Sequence, residues 1–254
     1  MADKTLTLNI DINNFQTFLS YIRELSLIDP TTVISFNNEH TMLYSFVGKD
    51  INDIHAFKTV IIKTDEIFNK SKEIDNKILF IIKDNKKFTR NIQNFIDFDE
   101  NIKMKISFDE ENHYSNYLNI SNNKLRLKEI SGDPVLMSKE ITKEDINFLT
   151  DKNKSLFNFE ISELDFRKIK SMSNIDTTND ILYITINNNE LFIGENKWEL
   201  KICDIDKPNL SISFPKKYFK NLKFTNNTKI YIYENYILIS DDNTDLMIVL
   251  ETTV

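Results

Sequence analysis

Apolar and polar residues alternate with a period of two along most of the chain, the pattern of half-buried β-strands. Such runs occupy 5–10, 32–36, 41–47, 57–62, 77–82, 102–108, 114–120 and 124–130, and resume at 156–161, 181–186, 190–193, 197–203, 210–214, 229–233, 236–240 and 246–250. Asn, Asp and Lys pairs separate many of them, as turn chemistry requires. Four short stretches carry a helical period instead. In 13–25, Phe15, Phe18, Leu19 and Ile22 recur at i, i+3, i+4 and i+7, and Phe88, Ile92 and Phe95 do the same in 85–98. Phe166, Ile169 and Met172 share a side of 164–174, and Tyr218, Phe219 and Leu222 stack in 216–223. A weaker helical pattern covers 65–74, and a short helical turn falls at 143–149.

The order of elements repeats. NIDINNFQTFL, from Asn9, aligns with FEISELDFRKIK, from Phe159, so that Ile10 meets Ile161, Phe15 meets Phe166 and Phe18 meets Ile169. TVISFNN (32–38) aligns with LYITINN (182–188), and each half then runs strand, short helix, three strands. Two copies of one β-rich unit are expected, over 1–132 and 155–254. The stretch 133–154 holds Pro134 and many charges and reads as a linker.

Composition narrows the function. With 254 residues, 28% charged and 41% hydrophobic, the chain is long enough for two globular domains. No apolar run approaches the roughly 20 residues that cross a bilayer, and MADKTLTLNI lacks a signal core. A cytoplasmic location away from membranes is expected. Cys203 is the single cysteine, which excludes an intramolecular disulfide. Three glycines are too few for a phosphate-cradling loop. Abundant Asn, Ile and Lys beside only four arginines read as drift in an AT-rich genome. His40, His55 and His113 have no metal-ligand spacing, and Cys203 has no evident histidine partner. No enzyme, metal or cofactor is expected.

Charge is where the chain departs from the ordinary. Its formal net charge is -7, yet FPKKYFKNLKF (214–224) carries four lysines and no acid. Across the four helical stretches, extended to 83–97, 163–174 and 215–224, twelve basic residues face five acidic ones. At 100° per residue, Lys216, Lys217 and Lys220 lie opposite Phe219 and Leu222. Lys86 and Arg90, with Lys87 in the same helix, oppose Phe88, Ile92 and Phe95. Arg167 opposes Phe166 and Ile169, with Lys170 flanking, while the first helix offers only Arg23. A basic helical surface on an acidic protein attracts a polyanion through phosphate contacts without reading sequence. Lysine, a flexible point charge, suits loose contact of that kind.

These residues carry a resemblance. Two β-rich repeats, each with two short basic helices, on an acidic chain form the pattern of DNA sliding clamps. Phe159 to Gly194 (FEISELDFRKIKSMSNIDTTNDILYITINNNELFIG) resembles the start of the second domain in clamps of tailed bacteriophages. Ser211 to Thr253 resembles the rest of that domain, and the outline is similar to the proliferating cell nuclear antigen. The resemblance implies an α+β, two-domain DNA clamp fold with two short helices lining one face of each domain. It further implies a homotrimeric ring around duplex DNA, a DNA polymerase and a clamp loader as partners, and the cytoplasm of an infected bacterium as location. It places Arg23, Lys86, Lys87, Arg90, Arg167, Lys170, Lys216, Lys217 and Lys220 toward DNA. It pairs an edge strand holding Lys124, Leu125, Arg126 and Leu127 with the neighbour's Trp198, Leu200 and Ile202. A partner-peptide pocket would be rimmed by Pro134, Val135, Leu136, Met137 and Val254. Two alternatives stay open: a clamp-fold viral replication or transcription accessory that touches DNA without encircling it, and a viral structural β protein. The charged segment 63–77 has no counterpart in this reading.

Overall fold

The structure, a computed structural model, describes residues 4–48, 54–74, 77–95, 101–109, 111, 113–134, 141–175, 178–220, 222 and 228–250. The chain divides into two compact units, Met1–Glu140 and Ile141–Val254.

The first unit runs β1 (Lys4–Ile10), α1 (Ile12–Leu25), β2 (Thr32–Phe36), β3 (His40–Gly48), β4 (Ile54–Lys63), α2 (Thr64–Ile67), β5 (Asn69–Lys70), β6 (Ile78–Ile82), α3 (Asn85–Gln93), β7 (Ile102–Phe108), β8 (Ser115–Ser121) and β9 (Arg126–Ile130). One antiparallel sheet has the order β5-β1-β7-β8-β9. A second has the order β4-β3-β2-β6. Alternation explains the first: Leu6, Leu8 and Ile10 of β1 are buried, as are Ile102, Met104 and Ile106 of β7. They meet Phe15, Phe18, Leu19, Ile22 and Leu25 of α1 in one continuous core. Burying these five helical side chains contributes on the order of 10 kcal/mol before conformational entropy is set against it. Asp11 fixes the start of α1 by accepting a hydrogen bond from Asn14 N at 2.9 Å, and Asp84 does the same for α3 through Lys87 N.

The second unit runs α4 (Lys143–Leu149), β10 (Phe157–Glu160), α5 (Glu163–Ile175), β11 (Ile181–Asn187), β12 (Glu190–Glu195), β13 (Trp198–Asp204), β14 (Leu210–Pro215), α6 (Lys216–Lys220), β15 (Lys229–Ile232), β16 (Tyr236–Ser240) and β17 (Thr244–Val249). Its sheets have the orders β10-β15-β16-β17 and β13-β12-β11-β14, all antiparallel. These are the orders of β1-β7-β8-β9 and β4-β3-β2-β6 in the first unit, with a helix after the first strand of each unit, β1 or β10, and another after the matching end strand, β6 or β14. The match reaches individual hydrogen bonds. Asn85 N, at the start of α3, donates to Pro30 O at 2.7 Å, and Lys216 N, at the start of α6, donates to Asp180 O at 2.8 Å.

The helical turn expected at 143–149 is α4, opened by a reciprocal capping box between Thr142 and Asp145, and a 3-10 turn follows at Lys152–Lys154, both within the second unit. One stretch differs from the sequence reading. The stretch 65–74 is not one helix. After the single turn of α2 the chain lies along the edge of β1, pairing Leu8 with Lys70 and Asn9 with Asn69. Lys70 Nζ donates to Asn38 O at 3.0 Å, and Ile74 N donates to Asn38 Oδ1 at 2.7 Å. This segment caps a sheet edge, and a strand's unpaired backbone groups outweigh a weak helical period.

Candidate nucleic-acid interface

Each unit carries two helices packed side by side, and their outward side chains form the candidate surface. In the first unit, Arg23 of α1 donates from Nη2 to Gln93 Oε1 of α3 at 3.1 Å, joining the two helices at their exposed faces. Lys86, Lys87 and Arg90 of α3 are exposed, and so is Lys83 just before it. The acid that α1 could set against them is withdrawn: Glu24 turns inward to Lys58, Nζ to Oε2 at 3.0 Å, where Lys58 is only 3% exposed. Asp84, the cap of α3, is the one carboxylate in residues 83–93.

The second unit corrects the sequence reading. Lys216 does not face outward. It is buried, and its Nζ lies 3.0 Å from Glu195 Oε1, with the two side chains 3% and 1% exposed. The reason is positional. As the first residue of α6 it occupies the place of Asn85 in α3, which is also buried. Arg167 is exposed but pairs with Glu163 one turn earlier, and Lys168 pairs with Asp165 at 3.7 Å. Lys170 is half-buried; its Nζ donates to Leu222 O at 3.0 Å, and burial lowers its pKa. Lys217 is exposed and Lys220 half-buried. Met172, read from its spacing as part of the apolar side of α5, is 37% exposed, while Ser173 is buried in its stead. The packed contacts between α5 and α6 run through Phe166 and Phe219, with ring centroids 5.1 Å apart. The exposed positive charge is therefore stronger on the first unit, although FPKKYFKNLKF is the richer stretch in lysine.

The residues read as an edge contact fall at two sheet ends. Arg126 and Leu127 belong to β9, the last strand of its sheet, with no described strand on its far side. Lys124 and Leu125 precede it in the hairpin turn, held by Asn122 Oδ1, which accepts from both backbone N–H groups. Trp198, Leu200 and Ile202 lie on β13, the end strand of its own sheet. Of the proposed pocket rim, Pro134 is half-buried; Val135, Leu136, Met137 and Val254 lie outside the described residues.

No described helix is long and apolar enough to cross a membrane, and among the described residues no group of three or more His, Cys, Asp or Glu could hold a metal ion.

With this geometry in hand, the chain can be set beside known proteins. No family profile matches it, and no curated protein matches it in sequence. Solved structures do. It is similar to a DNA polymerase III subunit beta from Borrelia burgdorferi, with a TM-score of 0.67 and 16% identity over 97% of this chain and 65% of that one. It is similar to a Helicobacter pylori beta clamp bound to a DNA ligase peptide, with a TM-score of 0.69 and 10% identity over 99% of this chain and 67% of the other. It is also similar to the proliferating cellular nuclear antigen of Entamoeba histolytica, with a TM-score of 0.65 and 11% identity, and there the match covers 97% of this chain and 98% of the relative. The chain thus spans about two thirds of the bacterial clamp chains and nearly all of the Entamoeba one. Its fold is the sliding-clamp fold.

Proposed function

We propose that this protein is a sliding clamp. Three copies join head to tail into a ring around duplex DNA, and the ring tethers a replicative DNA polymerase to its template. The observation that carries this reading is the duplication. Two units with the same strand order give six across a trimer, and a relative of the same two-unit length matches the chain almost end to end. β9 in the first unit and β13 in the second each end a sheet, and a heterologous contact between them closes into a ring when the rotation is right.

The mechanism is topological, so grip is not required. Lys86, Lys87, Arg90, Arg23, Lys217 and Lys220 would touch phosphates loosely and indifferently to base sequence. Lys216 has no part in this. A clamp loader would open the ring, and partner peptides would dock beside the linker. The likeness of 159–194 and 211–253 to clamps of tailed bacteriophages supports a phage replication system acting in the cytoplasm of its host.

A second reading has one observation in its favour. The second unit offers few cations outside ion pairs, because Lys216, Arg167 and Lys168 each meet a carboxylate. A clamp-fold accessory that lays only its first unit on DNA, as a monomer, would look the same. Native mass separates the two. Light scattering across a concentration series should find a species of about 90 kDa, three times the 30.0 kDa chain. A monomer that persists at high concentration would favour the accessory.

A further inference from the structure

The sheet β5-β1-β7-β8-β9 has a second face, turned away from α1. Alternation sends Leu8, Ile10, Met104 and Ile120 to the core and their chain neighbours outward. The register sorts those outward residues into cross-strand rows. Asn9, Lys103, Ser121 and Arg126 stand in one row. Thr7, Lys105, Asn119 and Lys128 stand in the next, and Thr5, Ser107, Tyr117 and Ile130 in the third. None of these positions holds an acid. Lys103, Lys105, Arg126 and Lys128 are exposed, and none of the four forms an ion pair among the described residues. Glu129, the acid of β9, falls on the other face, in the field of Lys87 and Lys83. Beyond β1, at the β5 edge, Asp65 and Glu66 are turned to Lys70 and Lys63, at 3.1 and 3.2 Å.

The repeat supplies the comparison. Aligning Ile10 with Ile161 carries Asn9 to Glu160 and Thr7 to Asn158. One matching row of the second unit is Glu160, Lys229, Ser240 and Asp245. The other is Asn158, Tyr231, Leu238 and Met247. Of the four cations only Lys103 has a basic counterpart, Lys229, and its Nζ lies 2.8 Å from Glu160 Oε1. Lys105 is matched by Tyr231, Arg126 by Asp245 and Lys128 by Met247. The same strand order therefore forms without these cations. The second unit also covers part of this face, with Lys152 Nζ 5.5 Å from the centre of the Tyr231 ring.

We propose that this outer sheet face binds the phosphate backbone of a single strand of nucleic acid, as a second surface separate from the helices. Four exposed cations without acidic neighbours on the face, on a chain of net charge -7, are complementary to a polyanion. They stand about 7 Å apart along a strand and about 10 Å apart from β7 to β9. A patch of that size meets a few phosphates, one strand's share, and a flexible strand can bend its backbone onto a flat sheet. The amides and hydroxyls of Asn9, Ser121, Thr7 and Asn119, in the same rows, offer donors and acceptors to whatever base edges fall between the phosphates. An acidic peptide fits less well. Peptide docking depends on an apolar anchor in a pocket, and the one aromatic ring on this face, Tyr117, is already covered by Lys128, with Nζ 4.0 Å from its centre. Joining another strand at the β9 edge uses backbone groups and leaves these side chains on the face, so the inference stands with or without a closed ring.

The test uses the full chain and a fluorescent oligothymidylate of about 20 nucleotides, with binding read by anisotropy across a salt series. Lys103→Gln, Lys105→Gln, Arg126→Gln and Lys128→Gln together should weaken binding at least about tenfold near 50 mM salt and flatten the plot of log affinity against log salt by about 2.8. The urea midpoint should not move, since all four side chains are exposed. A control removes the same charge elsewhere: Lys143→Gln, Lys154→Gln, Lys197→Gln and Lys207→Gln together should bind as wild type does. Equal loss in the control would mean that net charge alone matters, and the inference falls. It falls too if wild type ignores the oligonucleotide, or if the four-site face variant keeps wild-type affinity while Lys86→Ala, Lys87→Ala and Arg90→Ala together abolish binding, which would put all nucleic-acid contact on the helices. Poly-L-glutamate is the remaining arm. If it binds this face more tightly than oligothymidylate of equal charge, the occupant is an acidic protein and the assignment to nucleic acid is overturned.

Discussion

Lys216→Ala tests whether the most lysine-rich stretch of the chain serves stability instead of binding. Its Nζ and Glu195 Oε1 are 3.0 Å apart, and neither side chain is more than 3% exposed. Glu195 Oε2 has no hydrogen-bond partner among the described residues, so the carboxylate depends on this pair. Removing one partner of a buried pair strands the other charge in a low-dielectric site and costs about 3–5 kcal/mol. That is a large part of a typical domain stability of about 5–15 kcal/mol. Lys217→Ala, at an exposed position on the same helix, should stay within about 0.5 kcal/mol of wild type. The pair itself is not worth that much: replacing both residues with apolar ones, Lys216→Met with Glu195→Leu, should be near neutral. Urea unfolding followed by the fluorescence of Trp198, the only tryptophan, reads this directly, because Trp198 pairs with Glu195 across the β12–β13 turn. With a slope of about 2 kcal/mol/M, the midpoint for Lys216→Ala should fall by about 1.5–2.5 M. A midpoint for Lys216→Ala that matches Lys217→Ala would refute the reasoning and return Lys216 to the surface.

Three further outcomes are expected. Replacing Lys86, Lys87 and Arg90 together with Ala should leave the unfolding midpoint unchanged, and should flatten the plot of log affinity for duplex DNA against log salt by about 2.7; an unchanged slope would take these residues off the phosphates. Gly194→Ala should destabilise the second unit by about 1–3 kcal/mol, since its Cβ would stand 2.2 Å from Trp198 O and 2.8 Å from Glu199 Cα, both backbone atoms; wild-type stability would show that the β12–β13 hairpin can open at no cost. Burial raises the Asp245 pKa above the ordinary value, so the folded protein holds this proton more tightly than the unfolded chain, and stability falls as pH climbs from the ordinary aspartate range through the raised one. Asp245→Asn should remove that slope and raise stability at pH 7, and equal pH profiles for the two proteins would count against it.

The strands were legible because most sheets have one core face. Leu6, Leu8 and Ile10 alternate with Thr5, Thr7 and Asn9, and only the first set is buried. The repeat was legible too, and it held the answer that helical geometry alone missed. A wheel drawn from 216 to 223 puts Lys216 outside. Carrying the repeat one step further sets Lys216 on Asn85, at a helix start pinned by its backbone N–H to the residue before the second strand. No periodicity reports that constraint, because it is made by a segment more than 30 residues away. Some of the charge cancellation could have been read from spacing, since Glu163 and Arg167 are four apart on one helix. The pairing of Lys58 with Glu24 could not, because it joins a strand to a helix through the core. The segment 65–74 misled for a related reason: its Phe68 and Ile74 are buried as a helix would have them, but they serve a chain laid along β1.

The ring itself is tested most directly by topology. The protein is assembled on a nicked circular plasmid, separated from free protein by gel filtration at moderate salt, and the plasmid is then cut once. The account predicts that protein stays with the circle and leaves within the time of cutting, because a closed ring with weak phosphate contacts slides off a free end. Equal retention on the circle and on the cut plasmid would mean that the chain holds DNA by its surface and does not encircle it.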